Sequence, residues 1–356
     1  MLAAVTGPRA RDVVQQIPAY VPGARPGASQ AYKLSSNENP FPPLDGVRAA
    51  VAGAAADLNR YPDMYASDLV EAVAARYGLE PSWVVAGCGS VAVLGHVLEA
   101  FCDAGDEVVH AWRSFEAYPI AISLQGAVGV AVPVDADGRH DLPAMAAAVG
   151  PRTRVVLVCT PNNPTGPAVH ADELAEFLDA VPQGVLVVVD EAYAEFVRDP
   201  GAASGTAVLR DRPNVVVLRT FSKAYGLAAL RVGYALAHPP VAAAIRTAAT
   251  PFGVNRIAEV AALASLDAEA ALADRVDAVV AERGRVLAGL RAQGWEVPDS
   301  QANFVWLPVA GRAVELAADA QARGLLVRPF AGDGIRVSIG EPAANDLVLE
   351  VAASWR

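Results

Sequence analysis

Between Trp83 and Ala237 the chain alternates short, β-branched apolar runs with alanine-rich segments whose apolar residues recur at helical spacing. The runs predict strands at Trp83–Ala86, Glu107–Ala111, Val128–Val134, Val155–Cys159, Val185–Val189, Val215–Arg219 and Gly233–Ala237. The segments between them predict helices, among them Leu69–Arg76, Ser90–Cys102 and Ala171–Ala180. Several of the strands are unbroken Val and Leu rather than an apolar–polar alternation, the pattern of strands covered on both faces. The expectation is an α/β fold with a mostly parallel, seven-stranded sheet in a large domain.

After about Pro251 the texture changes. A long Ala/Arg/Glu-rich stretch predicts one helix from about Ile257 to Gln293, followed by short strands near Phe304–Leu307, Leu326–Arg328 and Ile335–Ser338. These define a smaller α+β domain. The first 43 residues, rich in Pro, Gly and Ser, predict an extended arm. The expected division is an arm at 1–43, a large domain at 44–250 and a small domain at 251–356.

Composition narrows the function. With 53% hydrophobic and 19% charged residues in 356, the chain has ample material for a packed core. A formal charge of −11 argues against nucleic acid as the main partner but leaves room for a local cationic pocket. No apolar run reaches the roughly 18 residues of a membrane helix. The opening MLAAVTGPRARDVV places its arginines after the apolar residues, the wrong order for a secretory signal. Cys88, Cys102 and Cys159 form no paired framework, and the five histidines show no ligand spacing. A cytoplasmic, metal-free protein is expected.

Four loops, each at the end of a predicted strand, carry the candidate chemistry. In open α/β sheets ligands bind beyond the carboxyl ends of the strands, so these loops can converge. The first is Phe221-Ser222-Lys223-Ala224-Tyr225-Gly226, with Arg231 following. A lone lysine is ordinarily a solvated surface residue. Here Thr220, Ser222 and Arg231 flank it with phosphate-binding groups, and a lysine beside such a site can condense with an aldehyde. The second loop is Asp190-Glu191-Ala192-Tyr193. Its aspartate is either a turn cap or the partner of a protonated pyridine nitrogen, with Tyr193 donating to the ring's phenolic oxygen. The third, Cys159-Thr160-Pro161-Asn162-Asn163-Pro164-Thr165-Gly166, signals a turn and holds Asn163 between prolines, within reach of the same oxygen.

The fourth, Gly87-Cys88-Gly89-Ser90, opens a helix whose backbone amides suit an anion. With Ala92 it also spells the dinucleotide fingerprint G-x-G-x-x-A. That fingerprint wants an acidic residue ending the next strand, where this chain has His110-Ala111-Trp112.

Together these loops resemble fold-type I pyridoxal-phosphate aminotransferases, and within them the histidinol-phosphate aminotransferase-like branch. The resemblance runs from SSNENPFPP (35–43) through NRYPD, GCGS, TPNNPTG, DEAY and FSKAYGLAALRVG to SQANFVWLP and GIRVSIG. It implies the aminotransferase class I/II fold, pyridoxal 5'-phosphate as cofactor and a homodimer with shared active sites. By the same resemblance Lys223 is the Schiff-base lysine and proton shuttle, Asp190 the pyridinium partner, and Tyr193 and Asn163 the partners of the phenolic oxygen. Thr220, Ser222, Arg231 and the Ser90–Val91 backbone form the phosphate cup, and Phe115 stacks on the ring. Tyr61 reaches the phosphate of the neighbouring subunit's cofactor. Arg336 binds the substrate α-carboxylate, while Arg328, Tyr20 and Asn37 are further substrate-side residues. The bland alternatives are core packing for Phe115 and an interface role for Tyr61.

The segments Trp112–Pro119 and Val327–Phe330 resemble the aromatic amino-acid aminotransferase group. Histidinol-phosphate enzymes tend to carry a tyrosine where Phe115 stands, and losing that hydroxyl favours an apolar ring. Transamination of an aromatic amino acid with 2-oxoglutarate is therefore expected, with histidinol phosphate as the alternative substrate. Arg328 serves either a phosphate or the distal carboxylate of 2-oxoglutarate. A non-catalytic module, such as the aminotransferase-like half of a transcription regulator, would need a basic DNA-binding domain. No space for one is expected before Ser35.

Overall fold

A computed structural model describes residues 7–17 and 31–356. In chain order its strands are β1 (Tyr32–Lys33), β2 (Val84–Gly87), β3 (Glu107–Trp112), β4 (Val128–Pro133), β5 (Thr153–Cys159) and β6 (Leu186–Asp190). They continue with β7 (Val215–Thr220), β8 (Gly233–Ala237), β9 (Phe304–Leu307), β10 (Leu325–Leu326), β11 (Arg328–Phe330) and β12 (Gly334–Ser338). The seven-stranded sheet has the order β2-β8-β7-β6-β5-β3-β4. All its pairings are parallel except those of β8, which runs antiparallel to both β2 and β7.

The valine runs explain the layering. In β5, Val155, Leu157 and Cys159 pack on one side with the helices Ser90–Phe101, Ala117–Gln125 and Pro239–Ala248, while Val156 and Val158 join the opposite core with Leu174 and Phe177. β6 and β7 split in the same alternating way, so the central residues of each strand are apolar in succession because both faces are covered. β4 is one of the two edge strands, and most of its residues are more exposed than those of the central strands.

Three predicted elements differ. The stretch 257–293 is two helices, Arg256–Asp267 and Glu269–Ala292, separated at Ala268 (φ −101°, ψ 31°). The first packs on the helices Asp45–Ala54 and Ser67–Tyr77, the second on Pro342–Ala353 and β9. One straight rod cannot serve both sets of neighbours. Likewise Leu326–Arg328 is not one strand. Leu325–Leu326 pairs in parallel with β1, whereas Arg328–Phe330 pairs antiparallel with β12. The arm is also not wholly extended, because Asp12–Gln16 is a short helix. β9, β11 and β12 form a three-stranded antiparallel sheet in which Arg328 and Arg336 are direct cross-strand neighbours. Among the described residues no helix is long and apolar enough to cross a membrane.

Candidate active site

The topology sets where the chemistry gathers. β2, β3, β5, β6 and β7 all point the same way, so the loops after them meet at one edge of the sheet. β8 runs oppositely, so the residues before it, including Arg231, arrive at that same edge. This explains why Arg231 precedes its strand while the other candidates follow theirs.

A cavity of about 580 Å³ opens there. Of the predicted residues, Ser90, Val91, Phe115, Asn163, Asp190, Tyr193, Thr220, Ser222, Lys223, Arg231, Arg328, Arg336 and Asn37 all line it. Tyr61 does not. Its ring is 84% exposed and lies against Phe252, with centroids 4.9 Å apart. Tyr20 lies outside the described residues.

Lys223 sits three residues past β7, half-buried, and its amine donates to the Ser36 carbonyl at 3.1 Å. Burial and the nearby Arg336 and Arg231 guanidiniums, opposed by Glu38, depress its pKa to about 7. Asp190 ends β6 and is buried. Its Oδ2 accepts the Tyr118 hydroxyl proton at 2.8 Å, while Oδ1 is buried with no hydrogen-bond partner among the described residues. Burial raises the Asp190 carboxyl to about 6, with hydrogen bonds from Tyr118 and the Ala192 amide opposing. Tyr193 is buried, and its hydroxyl accepts from Asn37 Nδ2 at 2.9 Å. Burial lifts its phenol above the ordinary range.

At the anion end, Thr220 Oγ1 accepts the Ser222 amide at 3.1 Å, and Arg231 Nη1 donates to Ser222 Oγ at 3.3 Å. Two glycines bring this group to the helix Ser90–Phe101. A Cβ on Gly233 would stand 2.6 Å from the Ser90 nitrogen, and one on Gly89 (φ +83°) would stand 2.7 Å from Arg231 Nη2. The first amides of that helix have no intrahelical acceptor. They therefore sit beside a guanidinium and two hydroxyls, a combination suited to a phosphate.

On the opposite wall, Arg336 donates to Asn163 Oδ1 at 2.5 Å and to the Ser35 carbonyl at 2.8 Å. Consecutive residues Ser35, Ser36 and Asn37 thus contact Arg336, Lys223 and Tyr193. Asn37 is itself held by Ser338 and Asn303. Sequence reasoning missed the carbonyl contacts of Ser35 and Ser36, which no side-chain pattern signals. It missed Tyr118 too, although that residue stands three positions after Phe115 in a segment already singled out.

Residues 29–351 match the family model for aminotransferases of class I and II. The chain belongs to that family. Its curated relatives include an aromatic amino acid aminotransferase from Streptomyces avermitilis, 54% identical over 99% of this chain and 98% of its own length. Another, of the same description, from Thermobifida fusca, is 54% identical over 98% of this chain and 97% of its own. Among solved structures, histidinol-phosphate aminotransferase from Sinorhizobium meliloti in complex with pyridoxal-5'-phosphate superposes with a TM-score of 0.88. It is 30% identical, covering 99% of this chain and all of that one. This aminotransferase therefore has the α/β fold and the pyridoxal-phosphate dependence of its family. Its own cavity fits the cofactor, since Asp190 Oδ1 is a buried acceptor with no partner among the described residues and Arg231 stands among groups suited to a phosphate.

Proposed function

We propose that this aminotransferase moves the amino group of an aromatic amino acid to 2-oxoglutarate, working in the cytoplasm as a homodimer. The observation that carries the chemistry is the Lys223 amine, held with a depressed pKa in one cavity with Asp190 and Arg336. The aromatic donor is supported by the descriptions of relatives at 54% identity and by Phe115 and Phe330 in the cavity wall.

In this reading Lys223 would anchor pyridoxal phosphate, and Asp190 Oδ1 would accept the hydrogen bond of the pyridine N–H and keep that nitrogen protonated. Tyr193 and Asn163 face the phenolic oxygen. Thr220, Ser222, Arg231 and the Ser90 and Val91 amides hold the phosphate, and Phe115 covers the ring. The bound cofactor supplies the electron sink for the charge left when a proton leaves the substrate Cα. Arg336 grips the α-carboxylate through its planar fork. Lys223, once displaced, takes the Cα proton, and its depressed pKa keeps a substantial fraction of the amine neutral near pH 7. The same amine then delivers a proton on the cofactor side, so one residue serves as base and acid.

Tyr61 has its role across the dimer. Its exposed ring packs on Phe252, and Leu58, Met64 and Tyr65, near it in sequence, are exposed as well, apolar surface of the kind a second subunit covers. Three free thiols, Cys88, Cys102 and Cys159, accord with a reducing compartment.

A donor panel with 2-oxoglutarate tests the substrate. Phenylalanine, tyrosine or tryptophan should exceed histidinol phosphate in kcat/KM. A preference for histidinol phosphate above roughly tenfold, about 1.4 kcal/mol in transition-state binding, overturns the assignment. The adjacent Arg328 and Arg336 favour that second substrate, but the carboxylate already on Arg328 opposes a phosphate there.

A further inference from the structure

Arg328 and Arg336 pose an electrostatic problem that the aromatic reading does not resolve. They are paired across β11 and β12, so their side chains leave the same face of the sheet, and both are buried at the cavity wall. An aromatic amino acid brings one carboxylate and an uncharged ring. A dicarboxylic oxo acid brings two carboxylates. A desolvated guanidinium is costly without an anion, so Arg328 requires one in both halves of the reaction.

The loop after β3 provides it. Glu116, next to Phe115 and also lining the cavity, accepts from Arg328 Nη2 through Oε2 at 2.6 Å. Its side chain is 28% exposed, so it can retreat toward water. Retreat does not strand the carboxylate, because Arg113 Nη1 lies 4.0 Å from Glu116 Oε1. Arg113 is meanwhile fixed, donating to Asp333 at 2.7 Å and lying over the Trp112 ring.

We propose that Glu116 is a specificity-determining counter-ion: it neutralises Arg328 when an uncharged side chain occupies the site and yields when a substrate brings its own distal carboxylate. Glu116 thereby lowers the affinity for acidic substrates, which must displace it, and protects that for aromatic ones. The proposal rests on the aromatic donor and dicarboxylic acceptor proposed above.

The test uses the holoenzyme and two unreactive ligands, glutarate for the dicarboxylic substrate and 3-phenylpropionate for the aromatic one, with Kd from calorimetry. Glu116→Gln should tighten glutarate and weaken 3-phenylpropionate, changing the ratio of the two Kd values by tenfold or more. Glu116→Asp, which keeps the charge, should stay closer to the wild-type ratio and guards against a folding defect in the first variant. A ratio altered by less than tenfold in Glu116→Gln, or equally altered in Glu116→Asp, overturns the role. Failure of the wild type to bind 3-phenylpropionate at all overturns the aromatic reading instead. Tightening of glutarate in Glu116→Gln would then still support the counter-ion.

Discussion

Tyr118 donates its hydroxyl proton to one oxygen of Asp190 at 2.8 Å and leaves the other, also buried, with no partner among the described residues. Both side chains are buried, so the bond orients the carboxylate without competition from water. Tyr118→Phe removes a hydrogen bond to a carboxylate, worth about 1–2 kcal/mol. Cofactor affinity should fall by roughly five- to thirtyfold, measured by titrating the apoprotein with pyridoxal phosphate. An unchanged Kd would show that packing alone holds Asp190.

Asp190 also predicts how the apoprotein responds to pH. Its folded value of about 6 lies above that of a free carboxyl, near 4. Between these values the folded state binds the extra proton, so stability declines as pH rises through the window, and above it the full loss is incurred. A gap of that size corresponds to about 3 kcal/mol. Asp190→Asn should lack this decline. Urea unfolding of both apoproteins at pH 4 and pH 8 measures it, and parallel changes would contradict the expectation.

In the proposed mechanism Lys223 is both anchor and base, so Lys223→Ala should remove both. Transamination should fall by at least about a thousandfold, within the range for loss of a general acid–base group. Borohydride should no longer fix the cofactor to the protein. Lys223→Arg should do no better, since a guanidinium stays protonated. Steady-state rates and mass spectrometry after reduction read the two losses, and circular dichroism of the variant shows whether it is folded.

Gly233→Ala tests the seat proposed for the phosphate group. The added methyl would press on the Ser90 nitrogen at 2.6 Å and the Arg219 carbonyl at 2.8 Å, both backbone atoms that cannot rotate away. A loss of about 1–3 kcal/mol in stability is expected, with weakened cofactor binding because the helix start shifts. Thermal unfolding and cofactor titration should fall together.

Arg219 lies behind the site and bridges Glu191 at 2.8 Å and Glu195 at 3.5 Å, with Glu191 almost fully buried. Arg219→Met strands both carboxylates and should cost about 3–5 kcal/mol. Denaturant unfolding reads the loss. A triple change that also neutralises Glu191 and Glu195 should recover much of it.

The large sheet was legible because burial on both faces leaves a mark in composition. Val155–Val158, Val187–Val189 and Val215–Val217 are apolar at every position and rich in β-branched residues, as strands covered on both faces are. The break at Ala268 was not legible, since alanine is the best helix former and nothing local stops the helix there. Neighbours far along the chain impose it. The same holds for the division of Leu326–Arg328 between two pairing partners.

By itself the sequence determined which reactive residue types this chain carries and in what order, because Lys223, Asp190, Tyr193, Arg231 and Arg336 stand in motifs whose order and residue types are specific. Only the tertiary structure decided their state. Burial, not residue type, brings Lys223 down to about 7 and Asp190 up to about 6. Sheet register, not spacing, sets Arg328 beside Arg336, and a loop 212 residues away in sequence places Glu116 on it. Charge and desolvation depend on what surrounds a group in space, and that environment is assembled from segments that no local pattern relates.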